Sequence, residues 1–216
     1  MTDLRLRTPR LELRWPSQAD LAALGELAAA GIHDPEVQPF GVPWTDVPPA
    51  ERARAVLQYQ YGLWAAWRPS AWSLELAVVR DEVVVGLQGI SGHDFAVSRQ
   101  VASGSWLGQA HQGQGIGTQM RAAILFLAFE GLDAQYAVSA AYEYNAASLG
   151  VSRKLGYAED GFDVRAVRGR PAARPPARNK AGSRTGGCCL VAVMSLRSSS
   201  PPGPRWSGRR QPAAWR

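Results

Sequence analysis

Leu11-Glu12-Leu13-Arg14 alternates apolar and polar positions, the period of a half-buried strand. Pro16-Ser17 stops it, and Ser17 can cap a helix in which Leu21, Leu24, Leu27 and Ala28 return at helical spacing. That spacing predicts a helix over 19–30, with Gly31 as its C-terminal cap. A proline-rich stretch over 33–49 reads as a long loop, and loops of that length in compact domains tend to carry function. Ala55, Val56, Tyr59, Leu63 and Trp67 predict a second helix over 50–67, ended by Pro69. Two β-branched runs, 72–79 and 83–90, flank the polar turn Arg80-Asp81-Glu82 and predict a hairpin. A strand over 100–107, a helix over 118–130 closed by Gly131, a strand over 135–141, a helix over 146–155 and a strand from Tyr157 complete the series. Helices and strands mix within one unit, so the fold class is α+β with a mixed β-sheet.

The pattern fails after Arg170. Arg, Pro, Ser and Gly dominate 170–216 without an apolar period, so the reading divides the chain into a domain over 1–169 and a disordered basic tail. Only the run 188–196 is apolar enough for one strand. The composition resembles out-of-frame translation of GC-rich coding, and a frame shift near residue 170 is the expectation. Charge follows the same division. Residues 1–169 hold 14 Lys and Arg against all 18 acids, a net of −4, while the tail adds ten basic residues and no acid. The overall +6 therefore belongs to the tail, and a mildly acidic body disfavours nucleic acid as the partner.

No apolar run approaches the roughly 20 residues of a membrane span. The N-terminus lacks the apolar core of a secretory signal, so the expected location is cytoplasmic. The two cysteines, Cys188 and Cys189, are adjacent, and the three histidines have no ligand spacing, so no metal is expected.

Candidate chemistry concentrates in Gln112-Gly113-Gln114-Gly115-Ile116-Gly117, between a predicted strand and a predicted helix. Glycines permit positive φ and a close anion approach, and a helix N-terminus offers unpaired N–H groups with the positive end of its dipole. No Gly-Lys-Ser/Thr follows, and the glycines alternate instead of following G-x-G-x-x-G, so neither the Walker A nor the dinucleotide loop fits.

Gln112-x-x-Gly115-x-Gly117 resembles the pyrophosphate loop of the GNAT acyltransferase superfamily. Asn145-Ala146-Ala147-Ser148 followed by Lys154-Leu155-Gly156-Tyr157 resembles that family's later helix, and the strand Arg7 to Arg14 is similar to the opening of its RimJ/RimL-like branch. The resemblance covers about residues 7–165. It implies a sheet with splayed central strands (100–107 and 135–141) and acetyl-CoA as co-substrate. The amides of Gly113, Gln114, Gly115, Ile116 and Gly117 would then hold the pyrophosphate, with the Leu107 backbone on the pantetheine arm and the Asn145 side chain hydrogen-bonded to the cofactor. It further implies direct attack by a primary amine, from a small molecule or a protein N-terminus, in a ternary complex.

Where many members carry a thiolate-protonating Tyr this chain has Ser152, and Ser148 is the preferred substitute, with Tyr142 and Tyr144 as alternatives and helix capping as the competing role for Ser148. The strand 100–107 has no carboxylate. Glu75 is the candidate general base, with His93 and Asp94 behind it. Trp44, Trp64, Trp67 and Trp72 either line the acceptor pocket or simply pack. The closing hairpin of the family finds no match after Arg170. Two other readings stay open, a CoA-binding module without catalysis and nucleic-acid binding through the tail, and homodimer formation is likewise undecided.

Overall fold

The computed structural model describes residues 4–181 and the backbone of residues 193–195. A short hairpin, β1 (Arg5–Arg7) and β2 (Glu12–Arg14), opens the chain, followed by α1 (Gln18–Ala30) and α2 (Pro49–Ala66). Strands β3 (Ala71–Arg80) and β4 (Val83–His93) form the expected hairpin, turning through Asp81 and Glu82 with both residues at positive φ. One turn of helix, α3 (Phe95–Ser98), leads to β5 (Gln100–Leu107), then α4 (Ile116–Phe126), which continues as a π-turn to Gly131. Strand β6 (Tyr136–Ala140), helix α5 (Ala146–Lys154), and strands β7 (Ala158–Glu159), β8 (Val164–Val167), β9 (Arg170–Ala173) and β10 (Pro176–Lys180) follow, and β11 (Val193–Ser195) lies against β1.

Nine strands form one sheet in the order β11-β1-β2-β3-β4-β5-β6-β10-β7, while β8 and β9 pair only with each other. Alternation along the central strands divides two cores. Leu74, Leu76, Val78, Ile90 and Val101 face α4, whereas Ala77 and Leu87 face α1 and α2 with Leu21, Leu24 and Val56. Among the described residues no helix is long and apolar enough to cross a membrane.

Helix α1 starts as its sequence dictates. Ser17 Oγ accepts from the Asp20 amide at 3.1 Å, and Asp20 in return accepts from the Ser17 amide at 2.9 Å, a capping box. Arg14 adds two bonds to the same carboxylate, at 3.1 and 2.7 Å. Burial opposes ionisation of Asp20, but the Arg14 and Ser17 hydrogen bonds outweigh it and hold the carboxyl below its usual range. A depressed folded pKa contributes stability above the ordinary carboxylate pKa and loses it as pH falls through the lower folded value. Asp20→Ala is expected to cost about 2 kcal/mol at neutral pH. Urea denaturation checks this, and the gap to wild type should narrow at strongly acidic pH.

The fold does not stop at residue 169. Strand β10 pairs with β6 from Pro176↔Ala140 to Lys180↔Tyr136, and β8–β9 forms a hairpin across the expected boundary. The segment after Arg170 thus supplies the closing elements that the sequence reading did not find. The reason lies in what β10 buries: its inward positions are Ala177 and Asn179, so its alternation shows one small apolar side chain and one amide. Asn179 is nevertheless satisfied, donating to the Leu155 carbonyl at 2.7 Å. Val193–Ser195, from the apolar run 188–196, takes the opposite edge of the sheet. The rest of that run, and the other residues beyond 181 of the tail expected to be disordered, lie outside the described residues.

Candidate active site

Strands β5 and β6 run parallel and pair only over Gln100↔Tyr136, Val101↔Ala137 and Ala102↔Val138. Beyond that apex they separate, and the wedge opens into a cleft of about 630 Å³ lined by Ser103 to Leu107 on one side and Val138 to Ala141 on the other. The volume is that of a site for a small-molecule ligand. In the wedge β5 loses its β6-side neighbour; the Gly104 and Leu107 carbonyls accept from Gln88 and Gln112, and the absent strand leaves room for an extended ligand to pair with the backbone.

The glycine loop forms the mouth of this cleft. Gly113 and Gly115 sit at φ 73° and 77°, conformations that favour glycine, and a Cβ at either would meet no atom within 4 Å. Gly115 is the N-cap of α4 and no side chain caps the helix, so the first-turn N–H groups have no intrahelical partner. Two side chains of the loop are occupied elsewhere. Gln112 donates to the carbonyls of Ile32 (2.7 Å) and Leu107 (3.1 Å), which pins the loop, and its own amide bonds Gln109. Gln114 bonds Ala110 and accepts from Arg80 at 2.6 Å, pointing away from the cleft, while the Ile116 side chain is buried in the core. For Gln114 and Ile116 only the backbone amides remain to serve a ligand.

Asn145 caps α5, its Oδ1 accepting from the Ser148 amide at 3.1 Å. The capping role considered for Ser148 therefore belongs to Asn145, and the Ser148 side chain lines the cleft with Leu107, Gly117 and Asn145. Tyr142 is buried and stacked on Tyr144, whose hydroxyl donates to the Gln38 carbonyl at 2.7 Å; neither tyrosine lines the cleft.

The carboxylate candidates are dispersed. His93 and Asp94 are exposed beyond the paired end of β5, away from the wedge. Glu75 is not on the cleft wall either. It stands on the α1/α2 face of β3, its carboxylate lying over Gly89 of β4 with the Tyr59 hydroxyl as hydrogen-bond partner. Removal from water pushes its carboxyl up to about 8, against the opposing effect of the Tyr59 bond. Across the sheet Glu75 pairs with Gly89 and Gly89 with Gly104, and above Gly104, a cleft-lining residue, the space is open. Two successive glycines thus leave bare backbone between this carboxylate and the wedge.

Sheet parity sorts the surroundings. On β5, Trp106 packs toward α1 and α2, and Phe40 and Trp106 line the cleft with Trp44 between them at ring distances of 5.4 and 6.1 Å. Trp64 stacks on Trp15 and Trp67 on Trp72, as packing residues. On the α4 face, the sequence reading missed Arg121. Its guanidinium is 5% exposed, lines the cleft, and donates to Ser139 and Ser152 at 3.1 Å. The signal was available: α4 is buried at every position from Met120 to Leu125, and an arginine sits among them. The C-terminal hairpin also contributes, since Arg168 pairs with Asp46 of the long loop at 2.6 Å and Arg174 and Pro176 line the cleft. Among the described residues no group of three or more His, Cys, Asp or Glu could hold a metal ion.

Comparison with known proteins agrees with this geometry. The family model of the acetyltransferase (GNAT) domain matches residues 10–158. Mycobacterium smegmatis RimJ, solved in complex with CoA-disulfide, superposes with TM-score 0.69 at 21% identity, covering 83% of this chain and 88% of its own. RimL, a ribosomal L7/L12 α-N-protein acetyltransferase in complex with coenzyme A, gives 0.62 at 19% identity, with 82% and 97% covered. The ribosomal-protein-S5-alanine acetyltransferase of Vibrio fischeri gives 0.64 at 15%, with 84% and 98% covered. With the glycine loop at a helix N-terminus, the splayed pair β5–β6 and a family match over most of the folded residues, this chain belongs to the GNAT acetyltransferase family.

Proposed function

We propose that this protein transfers an acetyl group from acetyl-CoA to the α-amine of a protein N-terminus. The observation that carries the reading is the wedge: backbone freed by the splay of β5 and β6, entered past the unpaired amides of Gly113 to Gly117. That shape suits a pyrophosphate at the loop and a pantetheine arm laid along β5, passing Leu107 and Asn145. The structural neighbours' names support a protein acceptor, since RimL and the Vibrio fischeri enzyme are ribosomal-protein acetyltransferases.

In this reading the amine attacks the thioester carbonyl, the new C–N bond forms as C–S breaks, and sulfur leaves as thiolate. Glu75 takes the amine proton. Adjacent strands lie about 4.8 Å apart, a gap one water spans by accepting from an amine over Gly104 and donating to the Glu75 carboxylate over Gly89, with two hydrogen bonds of about 2.8 Å. A carboxyl at about 8 matches an α-amino group of pKa about 8 better than a lysine of about 10.4, so proton transfer is close to balanced. Ser148, on the opposite face, donates a hydrogen bond to the leaving thiolate, which takes its proton from solvent.

Calorimetry should show coenzyme A binding to the purified chain. Thiol release from acetyl-CoA should then follow addition of peptides with free N-termini and stop when those termini are blocked. Absence of binding heat would end the reading. Binding without thiol release across free peptides and small amines would leave a non-catalytic module instead.

A further inference from the structure

Among the described residues, Arg121 is the one buried cation that the reaction as described does not use. Among the described residues no carboxylate pairs with it, although a buried guanidinium without a counter-charge is costly. Three serine hydroxyls from three elements surround it instead: Ser139 on β6 and Ser152 on α5, both at 3.1 Å, and Ser105 on β5 at 3.5 Å. Its Nε is buried without a partner, and so is the Oε1 of Gln88, the residue opposite Ser105 on β4. This polar, net-positive chamber spans the two strands that separate.

Its position separates it from the loop. Arg121 lies five residues into α4, about 7.5 Å along the axis from Ile116, and its guanidinium is held by serines of β5, β6 and α5 and by no group of the loop. It also stands on the α4 face, opposite Gly104 and the aromatic side chains where an acceptor would approach. A second anion, appearing at the apex of the wedge, is what this chamber fits.

We propose that Arg121, with the cleft-lining hydroxyls of Ser105 and Ser139, forms the site that stabilises the coenzyme A sulfur as thiolate. The assignment rests on the acetyl-CoA reading above and adds a residue to it. The C–S bond breaks with its electron pair on sulfur, and the guanidinium meets that charge before any proton arrives. The hydroxyls turn their donors to the sulfur while still accepting from Arg121.

The test titrates the thiol of free coenzyme A in complex with the protein, following thiolate absorbance in the ultraviolet. Bound to wild type, the thiol should ionise at least one pH unit below the free compound, so that a pH below both values shows about tenfold more thiolate. Arg121→Met should return the titration to that of the free thiol, Arg121→Lys should keep part of the shift, and Arg121→Met should unfold at no lower temperature, since it removes an unpaired buried charge. An unshifted thiol on wild type overturns the assignment even if the variants do not fold, as does a shift that survives in Arg121→Met. In both cases coenzyme A still binds and the acetyltransfer reading stands; if calorimetry finds no binding to wild type, both fall together.

Discussion

Replacing Gly115 by valine is expected to weaken coenzyme A binding by about 10²–10³-fold while leaving the protein folded. Gly115 caps α4 at φ 77°, and a β-branched residue there is strained by about 1–2 kcal/mol, which turns the peptide away from its present orientation. The amides on either side then no longer converge, and charge-assisted bonds of about 1.5–3 kcal/mol each are lost. At about 1.4 kcal/mol per decade, one such bond together with the strain accounts for the stated range. Because a Cβ at Gly115 meets no protein atom within 4 Å, the effect falls on the ligand and not on packing. Gly62→Ala on α2, equally unobstructed but remote, serves as control and should bind as wild type. Equal affinities for Gly115→Val and wild type in calorimetry would remove the loop from the site.

Glu75→Gln should lower kcat by about 10²–10³-fold with coenzyme A affinity unchanged, the range of a lost general base. The pH dependence carries the sign. A base with pKa about 8 must lose its proton to act, so wild-type kcat/KM should rise with pH along a steep limb set by Glu75 and the substrate amine together, levelling off above about 8, whereas the variant should keep only the shallower limb of the amine. Stability should move the other way. The folded-state pKa lies above the ordinary value of 4.5, so between those two values the folded protein holds a proton that the unfolded chain has lost. Stability then declines as pH rises through that window, and Glu75→Gln should flatten the decline. A variant that keeps both kcat and the steep limb would assign the base elsewhere.

How much of this was legible beforehand depends on the range of the interactions involved. The Ser17 cap, the Gly31 terminus, the β3–β4 hairpin and the strand 100–107 are written in neighbouring residues, and each stands where its spacing placed it. Gly113 and Gly115 were legible for the same reason, since positive φ is a local demand. Strand β10 was not, because Pro176 to Lys180 becomes a strand only through pairing with β6 and burial of Asn179 against Leu155. Ser148 and Asn145 were both visible, but which one caps α5 depended on backbone geometry.

Sequence alone determined the order of the main elements from β2 to α5 and a glycine-lined helix start, because periods of two and 3.6 and the freedom of glycine act over a few residues. Tertiary structure alone decided where β5 and β6 part, that Glu75 looks across two glycines, and that Arg121 meets serines from three elements. Those placements follow from strand register and helix docking between residues up to 31 apart in the Arg121 chamber, and no local spacing encodes them.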